Sequence, residues 1–131
     1  MILFESYAVR LDYDPATDIL TADLSQVNEF YKLEIQEAFQ AIATTVSHYD
    51  VKRLLMDSRK RIVAVDNETY SFLLNDFLQK LKETRLQRMA RLHSGIAARE
   101  TLADRMQEQV ATHFEMVTFT DKDKALAWLV A

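Results

Sequence analysis

Residues 27–57 read VNEFYKLEIQEAFQAIATTVSHYDVKRLLMD, and the change of period within this stretch sets the architecture. Val27, Tyr31, Ile35, Ala38, Ile42, Val46 and Tyr49 recur every three or four residues, the spacing that lines one face of an α-helix. Asn28 or Ser25 is placed to cap it. Lys52-Arg53-Leu54-Leu55-Met56-Asp57 then forms an apolar run too short for a second helix and of the right length for a strand.

Outward from this unit the same reading continues. Residues 2–11 are rich in β-formers, Asp12-Tyr13-Asp14-Pro15-Ala16-Thr17-Asp18 reads as a turn, and residues 19–24 resume strand character. Tyr70, Leu73, Leu74, Phe77, Leu78 and Leu81 draw the stripe of a second helix, and residues 86–93 form the next strand. Ile96, Leu102, Ala103, Met106 and Val110 follow helical spacing, residues 115–119 return to strand, and Ala125, Leu126, Trp128 and Leu129 supply a last helix. Thr120 with Asp123 resembles a capping box at its start.

The expected order is ββαβαβαβα, an α/β fold. Strands separated by single helices run parallel and are joined by right-handed crossovers. We therefore expect a mixed five-stranded sheet, its first strand antiparallel and the rest parallel, with helices mainly on one face. One glycine and one proline leave no flexible linker, so residues 1–131 read as one domain. The strand C-termini gather residues 57–61, 93–96 and 120–121 along one rim, the usual place for a site in an open α/β sheet. In the strand at 86–93, Arg88 falls on one face and Arg91 on the other. That pattern predicts a sheet face only partly covered by helices, open to a partner or a second subunit.

Composition narrows the chemistry. Without cysteine the chain has no disulfide, thiolate metal site or cysteine nucleophile. The net charge of −4 disfavours a general nucleic-acid binder. It is unevenly spread: residues 52–105 hold twelve Lys/Arg against seven Asp/Glu, and the remainder four against thirteen. Such asymmetry marks surfaces that meet charged partners or unlike ends of a second copy. No stretch approaches the roughly 20 apolar residues of a membrane span, and the first residues lack the pattern of a signal peptide, so a cytoplasmic protein is expected.

The element order, the strand ending Leu54-Leu55-Met56-Asp57-Ser58, the segment Ile62-Val63-Ala64-Val65-Asp66 leading into a helix, and residues 119–129 (FTDKDKALAWL) together resemble the SpoIIAA-like proteins of the STAS superfamily. The resemblance spans nearly the whole chain. It implies a regulatory module that binds partner proteins and is switched by phosphorylation of a Ser or Thr in an Asp-Ser-Ser-Gly-like stretch opening a helix. That stretch corresponds here to Asp66, Asn67, Glu68 and Thr69. Asn67 and Glu68 stand where the family's hydroxyls would be, so the switch is expected to be absent. Glu68 places a fixed negative charge near a helix N-terminus, where the macrodipole favours it, and Asp66 and Glu68 also suit simple capping.

The same broad fold is similar to the CRAL-TRIO lipid-transfer domain. That resemblance implies an apolar ligand between sheet and helices, for which Phe30, Leu33, Phe39, Phe72 and Phe114 are the surplus apolar groups, off or at the margin of the stripes.

Asp57, Ser58 and His93 near one rim have the residue types of a hydrolase triad. Ser58 lacks the flanking glycines of a nucleophile elbow, and hydrogen bonding in the loop is the expected role. Phosphate cradles need closely spaced glycines, which are missing; Arg59, Lys60 and Arg61 remain as a basic loop able to meet an anion by charge. His48, His93 and His113 show no metal-ligand spacing. No enzyme activity, metal or cofactor is expected. The sequence reads as a non-enzymatic interaction module with a protein partner or a second copy of itself, its candidate residues Asp57, Ser58, Arg59, Lys60, Arg61, Asp66, Asn67, Glu68 and Thr69. A carrier of an apolar small ligand is the alternative.

Overall fold

Leu54, Leu55 and Met56 form the middle of the sheet, as a strand covered on both faces should. The structure, a computed structural model, describes residues 1–24, 29–59, 62–63 (backbone), 65–92 and 114–131. Its strands are β1 (Ile2–Glu5), β2 (Arg10–Asp14), β3 (Ile19–Asp23), β4 (Glu29–Phe30), β5 (Arg53–Asp57), β6 (Ile62–Val63), β7 (Arg88–Leu92) and β8 (Glu115–Phe119). The helices are α1 (Lys32–His48), α2 (Asn67–Lys82) and α3 (Lys122–Val130). Six strands make the main sheet in the order β1-β2-β3-β5-β7-β8, and β4 pairs with β6 in a separate parallel pair. β2 is antiparallel to both β1 and β3, while β3, β5, β7 and β8 are mutually parallel.

The α/β class and the mixed sheet match the expectation; the strand count and the direction of the first strand differ. Residues 2–11 are two strands, because the Ser6 amide donates to the Val9 carbonyl at 2.9 Å and the Ser6 hydroxyl accepts from the Ala8 amide at 3.2 Å. This turn contains no glycine or proline, and Ala8 and Val9 are fully buried in it, so it has the composition of a strand. β2 is therefore the strand that runs against the others. The expected turn at 12–18 shrinks to residues 15–18, where Asp18 adopts φ 54°, a left-handed conformation Asp tolerates better than bulkier residues.

α1 begins at Lys32, with Tyr31 at the cap and Glu34 reaching back to accept from the Tyr31 amide at 3.0 Å. Ser25, Val27 and Asn28, expected at its start, lie outside the described residues, as does the helix expected from Ile96 to Val110. Asp50 follows α1 with φ 52°, the left-handed position that often ends a helix. α3 is capped by Asp121, which accepts from the Asp123 amide at 2.9 Å, in place of the expected Thr120.

The crossovers from β3 to β5 and from β5 to β7 step the same way across the sheet, so crossovers of one hand leave their two helices on one face. α1 and α2 share that face. Phe39, Ile42, Leu54, Met56, Leu74, Phe77, Leu78, Met89 and Met116 belong to the large core beneath them. α3 lies on the opposite face, where Ala125 and Leu129 pack with Ile19, Leu55, Ala90 and Leu92. No helix among the described residues is long and apolar enough to cross a membrane.

The arginines of β7 correct one expectation. Arg91 is 5% exposed on the α1–α2 face, with Nη1 donating to the Thr118 hydroxyl at 3.3 Å. Arg88 turns to the other face, donates to the carbonyls of Trp128 (2.6 Å) and Ala131 (2.9 Å), and lies 5.3 Å from the Trp128 ring centroid. Neither leaves the sheet open. Among the described residues, an uncovered strip lies over β2 and β3, where Asp12 and Asp14 are exposed beside α3.

Candidate functional site

Two surfaces compete for function: the rim where the parallel strands end, and the outer seam between α1 and α2. The rim is built by register, because Asp23, Asp57, Leu92 and Phe119 pair in turn across β3, β5, β7 and β8. Asp57 takes Arg59 in a two-pronged ion pair, Nε at 3.0 Å and Nη2 at 2.9 Å, and accepts from the Arg59 amide at 3.3 Å. The Arg59 hydrogen bond holds the Asp57 carboxyl below its ordinary 3.8; partial burial opposes this, and Lys122 adds a smaller pull downward. Ser58 is buried, and its hydroxyl donates to the Leu92 carbonyl at 3.1 Å. That bond ties the end of β5 to β7, so the serine proton is committed to structure.

Asp66 caps α2, its Oδ1 accepting from the Thr69 amide at 2.7 Å. Asn67 and Glu68 are exposed in the first turn, and Thr69 is half-buried. Strand alternation turns Asp57 toward the α3 side with Leu55, whereas α2 lies on the other face. Asp57 and Arg59 thus work against one side of the sheet and Asp66–Thr69 open a helix on the other. Lys60, Arg61 and His93 lie outside the described residues. Among the described residues no three His, Asp or Glu side chains group to hold a metal ion.

The apolar surplus sorts itself differently. Phe30, Phe39 and Phe114 are buried, but Leu33 is 73% and Phe72 71% exposed. Both flank a groove of about 430 Å³ between α1 and α2. Phe39 and Phe77, stacked with ring centroids 4.2 Å apart and planes 11° from parallel, line it, together with Glu37, Gln40, Asp76 and Lys80. Lys80 reaches Asp76 at 3.1 Å and donates to Gln40 at 3.3 Å. Leu33 and Phe72 were legible as residues off the core stripes. The polar flank was not, since exposed charges on a helix carry no signal of their own.

A second groove, about 630 Å³, opens between α3 and the strip over β2 and β3. Ile19, Leu126, Ala127 and Val130 supply apolar wall, while Asp12 and Lys122 supply charge. Against this geometry, comparison with protein-family models, curated proteins and solved structures finds no match to the chain.

Proposed function

We propose that the protein is a non-enzymatic protein-interaction module whose contact surface is the α1–α2 seam. One observation carries this reading: Leu33 and Phe72, each about three-quarters exposed, line one groove together with an aromatic stack. Single exposed apolar residues are ordinary, but two large ones sharing one groove form a patch of the kind that marks a contact site. Burying both contributes about 3–6 kcal/mol. Association costs about 4–15 kcal/mol in lost freedom, so this pair alone gives weak, reversible binding.

The rim supports the same reading by what its groups are doing, with Asp57 held by Arg59 and the Ser58 hydroxyl held by Leu92. A regulatory module of this kind is also what the resemblance to STAS proteins implies, without the phosphorylation switch, since Asp66 serves as a cap and Asn67 and Glu68 cannot be phosphorylated. A photo-crosslinking side chain at Phe72, expressed in the source cell, should capture a discrete partner, and the same group at exposed Gln79 on α2 should not. Equal labelling from both positions would remove the reading.

A small-ligand carrier is favoured by a different observation, the groove beside α3, whose volume lies within the range of about 300–1,000 Å³ typical of small-molecule sites. Native mass spectrometry of protein from its own cells should then show a bound small molecule that Leu126→Asp releases. A spectrum of bare chain argues against this second reading.

A further inference from the structure

The α1–α2 groove has a chemistry that selects among protein partners. Both helices descend from the same end of the sheet, and the Lys80–Gln40 hydrogen bond sets them level. Stepping back seven or eight residues on each brings Leu33 and Phe72 opposite one another, with Glu37 and Asp76 between those anchors and the Lys80 layer. The charged groups lining the groove are Glu37, Asp76 and Lys80, and the first turns of the two helices add Glu34 and Glu68 against Lys32 in sequence. Lys80, the cation at the far end, is shared with Asp76 and Gln40.

We infer that this groove docks an amphipathic helix of a partner protein, apolar along one ridge and flanked by Lys or Arg. This rests on the seam being an interaction surface and adds the class of partner. A groove between two parallel helices accepts the ridge of a third, whose side chains at i, i+3, i+4 and i+7 reach Leu33, Phe72 and the Phe39–Phe77 floor. Charge decides the flanks, since basic groups meet Glu37 with opposite charge and compete with Lys80 for Asp76. A second copy is disfavoured by the same charges, because two-fold docking of this surface on itself brings acidic flanks together. An anionic membrane is disfavoured likewise.

The test uses the full chain and two labelled helical peptides of roughly 18 residues sharing one leucine ridge, one with lysine and the other with glutamate elsewhere. Fluorescence anisotropy should show saturable binding of the lysine peptide, weakening as salt rises, and little binding of the glutamate peptide. Leu33→Ser with Phe72→Ser should weaken the lysine peptide ten-fold or more with an unchanged melting curve, since both residues are exposed. Glu37→Lys with Asp76→Lys should shift preference toward the glutamate peptide. Equal binding of both peptides, an unchanged affinity in the serine variant, or an unchanged preference in the lysine variant would overturn the inference. So would a dimer in sedimentation velocity that Phe72→Ser abolishes. If the peptides fail while crosslinking from position 72 maps to a non-helical or acidic partner segment, the partner class is wrong and the interaction reading stands. If crosslinking fails as well, both fall.

Discussion

Under α1 and α2 the sheet is covered by helices of 17 and 16 residues that bury seven and six side chains; on the opposite face α3 has nine residues and buries Ala125 and Leu129. The first face is held by apolar burial, which is non-directional and grows with area. The second relies more on directed contacts, with Arg88 on the carbonyls at the end of α3 and Asp121 capping its start. One sheet thus carries a deep core and a shallow one, and the same kind of substitution should not cost the same on both.

The sharpest way to break this comparison is Phe77→Ala, which empties a site 1% exposed and removes the ring stacked on Phe39. It should cost about 3–5 kcal/mol in urea unfolding. Leu129→Ala on the shallow face should cost about 2–3 kcal/mol, because α3 can settle toward the strands and close part of the space. Equal losses would mean that the two cores are equally unyielding. Arg88→Met keeps the stem over Trp128 while leaving two carbonyls without this donor, and should cost about 1–2 kcal/mol. Its hydrogen-exchange signature should be confined to α3.

Smaller effects belong to helix and strand ends. Asp66→Ala removes the α2 cap and should cost about 1 kcal/mol. For Asp57 the sign follows from a carboxyl pKa lowered in the folded state: its pairing with Arg59 stabilises above pH 3.8 and loses its effect as pH falls through the depressed folded value. Arg59 is 45% exposed, so solvent screens the pair and its worth is under about 1 kcal/mol. Asp57→Asn should therefore lower stability slightly at neutral pH, and the gap from the parent should close on acidification. A gap that persists well below pH 3.8 would assign Asp57 a role other than its charge.

The deep face was the more legible in sequence because both its helices repeat apolar residues over several turns, and β5 reads as a continuous apolar run. The Ser6–Val9 turn escaped because a serine hydroxyl makes it and Ala8 and Val9 are buried like a strand's residues, with Tyr7 exposed between them and Ser6. The pair β4–β6 escaped because two residues display no period. Arg88 and Arg91 misled for a physical reason: an arginine in a strand reads as a solvent marker, yet its long stem lets it lie buried or clamp a helix end while its fork finds acceptors. Of the candidate residues, the Asp66 cap was readable from local sequence, whereas the pairing of Arg59 with Asp57 was not, since Arg59 read as part of a basic loop. The exposed seam needed the relative placement of two helices, which no single stretch encodes.

The uninterrupted strand order also bears on how the protein is made. β1 to β3 close as local hairpins, and each later strand of the main sheet docks beside the one before it, so the sheet grows at one edge as translation proceeds. The face under α1 and α2 acquires its cover as it grows. The other does not: Ile19, Leu55 and Leu92 wait for residues 122–130. A ribosome paused after β7 therefore holds a chain whose Ile19, Leu55 and Leu92 lack α3 and whose β7 edge lacks β8, the two features by which a nascent sheet pairs with other chains.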